Sequence, residues 1–175
     1  MKRFGWMGVA GLAMGATLAL AQGPKEIKVP LKSAKGEDAG SVTFKTVKKG
    51  VKVHVVLKNM SFGDHGVHIH QHAVCDAPDF KGAGGHYNPD SKHHGYMNPD
   101  GHHNGDMPGN VSVGENHMGE ATYTINSVSL DPSAPNSLFA DGGTSVVVHE
   151  KADDEKSDPA GNAGNRVACG VIKVQ

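Results

Sequence analysis

One stretch of the chain, residues 65–106, holds nine of its twelve histidines and almost no periodic apolar residues after Ile69. A polar segment of this length has too little apolar surface to fold around a core of its own, so something else must order it. Clustered imidazoles and carboxylates are typical metal ligands. The stretch therefore predicts a long loop that binds metal and is ordered by it.

The first 21 residues have the pattern of a cleaved export signal. A positive start precedes an apolar run from residue 4 to residue 21, which ends in the small-x-small sequence Ala-Leu-Ala. The run approaches the lower limit of about 18 residues for a membrane anchor, but its glycines and cleavage pattern favour removal. We therefore expect an exported protein, periplasmic in the first place and secreted as the alternative. A flexible lead-in at residues 22–25 would precede one domain over residues 26–175.

The remainder of the chain reads as short strands. Polar and apolar residues alternate in several segments, and no amphipathic helix of 20 residues is present. This pattern predicts an all-β fold, an eight-stranded Greek-key barrel or sandwich with the histidine-rich loop and a second polar loop at residues 150–165. The expected strands are residues 26–31, 41–47, 51–57, 66–70, 110–113, 119–125, 144–149 and 166–174.

Two cysteines, Cys75 and Cys169, are the only ones in the chain. An even pair in an exported protein predicts a disulfide bond. This bond would join the start of the histidine-rich loop to the last strand. The net charge of −1 gives no reason to expect binding to nucleic acid or to a membrane surface.

Two histidines on one strand are the first candidate metal ligands. His68 and His70 flank Ile69, and because strand side chains alternate, both imidazoles point to the same face. His149 ends the β-branched segment 144–149, where a rigid element would place it well.

The histidine-rich loop supplies further candidates. Adjacent twins occur at residues 93–94 and 102–103, and spacing alone does not say which member of each pair binds. Asp106 suits zinc as the fourth ligand of a His₃Asp site. The candidates from the loop are His86, His94, His103 and Asp106.

These candidates amount to six imidazoles and one carboxylate, too many for one four-coordinate site. Two such sites need eight ligand positions, and seven residues fill them if one imidazole uses both ring nitrogens. Imidazole-dominated sites suit copper and zinc. Two other functions use similar residues: a protein that only buffers these metals, and a zinc hydrolase, although the chain has no HExxH motif and Glu150 lies one strand step off the metal face.

The chain resembles the exported bacterial copper/zinc superoxide dismutases over residues 26–174. The resemblance rests on the order and spacing of several segments together. These are HGVHIH at 65–70, GGHYNP at 84–89, HG at 94–95, HNGD at 103–106, VVHEKADD at 147–154 and GNAGNRVACGVI at 161–172.

The resemblance implies a two-metal oxidoreductase that converts superoxide to dioxygen and hydrogen peroxide. Copper cycling between Cu(II) and Cu(I) would carry the electron, zinc would be structural, and the shared imidazole would take up a proton. The resemblance also implies an intrasubunit disulfide, and a monomer or homodimer without stable membrane association after signal removal. The implied copper ligands are His68, His70, His86 and His149, and the implied zinc ligands are His86, His94, His103 and Asp106, with His86 as the bridge.

Two further side chains gain roles from the resemblance. It implies that Asp153 orients ligands of both sites and that Arg166 attracts superoxide at the mouth of the copper channel. The chain departs from the family pattern at Val67, where a larger residue is more usual, and at residues 71–73, where an acidic residue and a glycine are more usual. The other histidines, at positions 54, 65, 72, 93, 102 and 117, are not expected to be ligands.

Overall fold

The computed structural model describes residues 23–174, so the predicted export signal at residues 1–21 lies outside the described residues. Nine strands form one sheet in which every pairing is antiparallel. Within residues 23–174, no helix is long and apolar enough to span a membrane. The strands are β1 (Glu26–Ser33), β2 (Asp38–Val47), β3 (Gly50–Lys58), β4 (Gly63–His65), β5 (Val67–His70), β6 (Val111–Val113), β7 (Met118–Ile125), β8 (Thr144–His149) and β9 (Arg166–Ile172).

The sheet curls into a nearly closed barrel. Its strand order is β4-β6-β7-β3-β2-β1-β9-β8-β5, and the two end strands, β4 and β5, are joined by the single residue Gly66. Strand β3 connects to β4, and the chain returns through β6 so that β7 lies beside β3, which is a Greek-key connection. The predicted all-β class is therefore confirmed.

The strand count differs from the prediction by one. Residues 63–70 form two strands because their partner changes at Gly66: His65 pairs with Val111, whereas Val67 pairs with Val148. A side chain at Gly66 would press against Ala163, and an alternating pattern carries no signal for such a change of partner. The predicted strand at residues 66–70 is thus β5, and β4 is the additional strand.

The barrel interior follows from the alternation that predicted the strands. In β3 the side chains of Val51, Val53, Val55 and Leu57 are buried, while Lys52 is exposed. Fully burying an aliphatic side chain of this size stabilises the fold by about 1.5–3 kcal/mol. These residues belong to one continuous core cluster inside the barrel.

Strands β5 and β8 are buried on both faces, unlike β3. Val67 and Ile69 contribute to the barrel core, whereas His68 and His70 lie on the opposite face and are each 1% exposed. The histidine-rich loop covers that face, and two of its residues form hydrogen bonds with the backbone of Ile69. Ile69 donates its N–H to the carbonyl of Gly105 and accepts a bond from the N–H of Tyr87.

The predicted disulfide is present between Cys75 and Cys169. Around it Phe80, Ala83 and Val147 form a small apolar cluster on the outer side of β8 and β9. The bond closes a segment with a sequence separation of 94, for which the chain-entropy model gives roughly 4–5 kcal/mol of stabilisation. It also fixes the first part of the loop against the last strand.

Candidate metal centre

Four imidazoles from two strands and the histidine-rich loop meet on the outer face of the barrel. His68 and His70 come from β5, His149 from the end of β8, and His86 from the loop, where it forms an isolated bridge with His70. One ring nitrogen of each lies within 4.8 Å of the others, and all four residues are buried. We call this set the four-histidine cluster.

Each imidazole has two nitrogens, one of which faces the other rings of the cluster. Where a ring donates a hydrogen bond, it does so through the nitrogen that points away from the other rings. His70 Nδ1 donates to the carbonyl of Gly84 at 3.0 Å, which leaves Nε2 facing His149 Nε2 at 3.4 Å. His68 Nε2 donates to a carboxylate, and its buried Nδ1 has no partner within the described residues. Such anchoring fixes the tautomer and turns a free lone pair inward, as in metal-binding histidines.

A second set of donors, the His₃Asp cluster, is built almost wholly from the loop. It consists of His86, His94, His103 and Asp106, and all four residues are buried. Asp106 Oδ1 lies 2.8 Å from His86 Nδ1, 3.2 Å from His94 Nδ1 and 3.4 Å from His103 Nδ1. A tetrahedral site with zinc–ligand bonds of 2.0–2.1 Å has edges of about 3.3–3.4 Å, which the separations of 3.2 and 3.4 Å approach, whereas the 2.8 Å separation is a hydrogen-bond distance.

The imidazole of His86 belongs to both clusters. Its Nδ1 faces Asp106, while its Nε2 is buried and has no hydrogen-bond partner among the described residues. The ring also stacks on His68 with 4.1 Å between centroids. One ring is thus shared by two adjacent sets of donors.

The carboxylate of Asp153, in the second loop, forms hydrogen bonds with both clusters. It accepts a bond from His68 Nε2 on one carboxylate oxygen, at 2.8 Å, and from His94 Nε2 on the other, at 2.9 Å. The side-chain amide of Asn110 holds its backbone by donating to the Asp153 carbonyl and accepting from the Asp153 N–H. One buried carboxylate therefore orients a ring of each cluster.

Burial favours the neutral form of three rings of the four-histidine cluster, those of His70, His86 and His149. Burial and then the neighbouring imidazole of His68 lower the pKa of His86 to about 3. The same causes lower the pKa of His149 to about 3, and burial with the charge of His86 lowers that of His70 well below its usual value. Because only a neutral imidazole offers a lone pair, these rings are ready to bind a metal ion near neutral pH.

In the His₃Asp cluster, hydrogen bonds instead favour the charged forms of a histidine and of the carboxylate. Burial alone would lower the pKa of His94, but its bonds with Asp106 and Asp153 outweigh burial and raise it to about 9. Burial alone would raise the pKa of Asp106, yet bonds from His103, His86 and His94 hold it well below the usual range. A cation bound here would take the place of the proton on His94.

A cavity of about 310 Å³ opens onto the four-histidine cluster. Among the described residues, Arg166 is the only formally charged one in its lining, and the rest of the wall includes Gln71, Asn88, Pro159 and Ala160. The guanidinium is fixed by two bonds: Nη1 donates to the carbonyl of Phe80 and Nη2 to that of Gly84. The cavity therefore presents one fixed positive charge beside the imidazoles and suits a small anion.

Comparison with known proteins gives this geometry a family. Residues 38–172 match the family model described as copper/zinc superoxide dismutase (SODC). The chain belongs to the copper/zinc superoxide dismutase family. The matches support the function and the oxidoreductase activity for which the family is named, as the sequence predicted.

Bacterial relatives of this family are similar over most of the chain. Superoxide dismutase [Cu-Zn] 1 of Aquifex aeolicus is 44% identical over 140 residues, which cover 79% of this chain and 82% of that protein. Superoxide dismutase [Cu-Zn] of Caulobacter vibrioides is 40% identical over 148 residues, which cover 82% and 83%.

Solved structures are similar as well. A SOD-like protein from Bacillus subtilis superposes with a TM-score of 0.78 at 33% identity, covering 83% of this chain and 97% of that one. The Cu/Zn superoxide dismutase from Brucella abortus superposes with a TM-score of 0.67 at 27% identity, covering 85% and 99%. The similarity thus extends over more than four-fifths of the chain.

The histidines not expected to be ligands lie outside the two clusters. His65 is buried, but its nitrogens meet the carbonyls of His149 and Ser61. His93 is turned to solvent and bonds Asp158, and His102 stacks on Tyr96. In both pairs of adjacent histidines, it is the second member whose nitrogen lies in the His₃Asp cluster.

Two residues that matter to the site were not singled out from the sequence as parts of it. Asn110 holds the backbone of Asp153, and asparagines are too common in polar loops for this one to stand out. Gly161 has a φ of +60°, and a side chain there would collide with Asp153 Oδ1 and approach His94 Nε2. Its position at the start of the GNAGNR segment was the available signal.

Gly161→Ala is therefore expected to displace the Asp153 carboxylate and weaken metal binding at both clusters by about 10–100-fold, the usual effect of losing such an orienting group. Gly36→Ala is the matched control, because Gly36 also has a positive φ but nothing lies within 4 Å of the added carbon. Both variants should lose roughly 1 kcal/mol of stability from backbone strain. Titration with copper and zinc distinguishes them, and equal metal affinities in the two variants would contradict this role of Asp153.

Proposed function

We propose that this protein is a superoxide dismutase that holds copper at the four-histidine cluster and zinc at the His₃Asp cluster, with His86 as a shared ligand. The observation that carries the proposal is that His86 belongs to both donor sets, with Nδ1 2.8 Å from Asp106 Oδ1 and Nε2 buried without a hydrogen-bond partner among the described residues. A single-metal protein would have no need for that arrangement.

The donor chemistry supports this distribution of metals. A set made only of imidazoles suits copper, and a closed set of three imidazoles and one carboxylate suits zinc. Bound copper would supply the one-electron chemistry by alternating between Cu(II) and Cu(I), while bound zinc would be structural. Arg166 and His86 supply the chain's own contributions.

Arg166 is proposed to bind and orient the substrate. Superoxide is a small anion, and a guanidinium that is already held by the carbonyls of Phe80 and Gly84 needs no reordering to receive it. Within residues 23–174 no carboxylate lines the cavity, so no negative charge of this wall opposes the approach of an anion. The same fixed charge raises the rate of encounter at low salt.

His86 is proposed to hold a proton during turnover. The reaction consumes two superoxide anions and two protons and gives one dioxygen and one hydrogen peroxide. His86 Nε2 is buried beside the cavity and has no hydrogen-bond partner among the described residues, so whenever it is not bound to copper it can hold a proton and pass it directly to reduced substrate. The second proton would come from water through the cavity mouth.

Two other functions fit less well. A protein that only buffers copper or zinc would not need a guanidinium fixed at the mouth of a cavity. A zinc hydrolase would need a general base beside an open zinc, but Glu150 is exposed and accepts a bond from Asn165 Nδ2 at 2.9 Å.

We further propose export to the periplasm, or secretion, after removal of residues 1–21, and action as a monomer or homodimer.

Purified protein lacking residues 1–21 is expected to bind one copper and one zinc per chain and to dismutate superoxide. His86→Ala should change the visible spectrum of bound Cu(II) and lower activity at least about 100-fold, because it removes a ligand and the proton site together. His54→Ala is the control, since that side chain lies on the outside of the barrel beside Thr122. A fully loaded but inactive protein would refute the enzyme, and an unchanged copper spectrum in His86→Ala would refute the shared ligand.

Arg166→Ala is expected to lower kcat/KM for superoxide by about 10–100-fold and to flatten its dependence on ionic strength, because the fixed charge is lost. Arg166→Lys should retain part of the rate but not the paired bonds to backbone carbonyls. Lys35→Ala makes the same change of charge at an exposed turn and should leave kcat/KM nearly unchanged. Pulse radiolysis at several salt concentrations measures these values, and equal effects at positions 166 and 35 would rule out a specific role for Arg166.

A further inference from the structure

The side chain of Asp158, in the second polar loop, holds two consecutive residues of the histidine-rich loop. Its Oδ2 accepts a bond from His93 Nδ1 at 2.7 Å, and its Oδ1 accepts the backbone N–H of His94, also at 2.7 Å. One carboxylate thus joins the two loops that cover the barrel face.

These bonds fix the backbone directly behind a ring of the His₃Asp cluster. The ring of His94 reaches Asp106 through Nδ1 and Asp153 through Nε2. Those contacts set the direction of the ring but not the position of its main chain. The bond from the His94 N–H to Asp158 holds the main chain of His94 itself against the second loop.

The two loops are in close contact around this point. A side chain at Gly95 would collide with the carbonyl of Glu155, and that same carbonyl accepts the N–H of Met97 at 2.9 Å. A shift of the second loop would therefore move the main chain of His94 as well. The next two residues after Asp158, Pro159 and Ala160, line the cavity that opens on the four-histidine cluster.

We propose that Asp158 is a positioning residue that holds the main chain of His94 for zinc binding and couples the His₃Asp cluster to the wall of the substrate cavity. The inference rests on the proposed function in that it takes zinc as the ion of this cluster. The two bonds contribute unequally. The side chains of His93 and Asp158 are 57% and 48% exposed, and such ion pairs contribute little, whereas the bond to the His94 N–H is partly buried.

Zinc affinity, measured by competition with a chromophoric chelator on protein lacking residues 1–21, tests this division. Asp158→Ala should weaken zinc binding about 10-fold, as expected for a group that orients a ligand. Asp158→Asn keeps an oxygen that can accept the His94 N–H and should restore affinity to within about 3-fold of the wild type. His93→Ala removes only the exposed pair and should change affinity by less than about 2-fold.

Asp131→Ala is the matched control. Asp131 is also exposed and also accepts one backbone and one side-chain bond, both from Ser133, but it lies outside both loops. This variant should bind zinc as the wild type does. Asp158→Leu, whose side chain has the same branching and number of heavy atoms as aspartate but no acceptor, should reproduce the loss if the alanine variant does not fold.

Hydrogen exchange of the His94 amide in the metal-free protein gives a readout independent of metal. Asp158→Ala should speed this exchange at least about 10-fold, while His93→Ala should not. Unchanged exchange in Asp158→Ala would overturn the inference, as would unchanged zinc affinity alongside a wild type that binds one zinc. A wild type that binds no zinc, with the exchange result intact, would instead refute the proposed function and leave the loop contact standing.

Discussion

Two buried carboxylates and a group of buried imidazoles set the terms for the rest of the structure. Burying a charged group is costly unless it is paired, and Asp106 and Asp153 are paired only with histidine nitrogens and backbone N–H groups. These hydrogen bonds fix one nitrogen of most rings, and the other nitrogens converge with their lone pairs free. His86 lies where the two converging sets meet, so both depend on its orientation.

The barrel gives this polar site a rigid base. His68, His70 and His149 stand on strands whose opposite faces are packed in the core, so these three rings cannot move without disturbing the barrel. The loop ligands lack that support. Their positions depend on bonds to the strands, on the disulfide of Cys75, and on contacts with the second loop. The His₃Asp cluster is therefore the part of the site most sensitive to changes in either loop.

The sequence allowed the class of fold and most strands to be predicted because one face of each strand is buried. It missed the short strand β4, since three residues are too few to show an alternating pattern. Spacing could not choose between His93 and His94. The choice depends on which of the two rings forms a hydrogen bond with the Asp153 carboxylate, which belongs to the other loop. Asn110 and Asp158 were missed as contacts for the same reason: polar loop residues show their partners only when two distant segments are folded together.

The central claim is that His86 lies between two different metal ions. Anomalous diffraction from crystals of copper- and zinc-loaded protein, recorded at the absorption edges of both metals, tests it most directly. We expect a copper peak on the Nε2 side of His86, among His68, His70 and His149, and a zinc peak on its Nδ1 side. A single peak, or two peaks that do not flank the ring of His86, would contradict it.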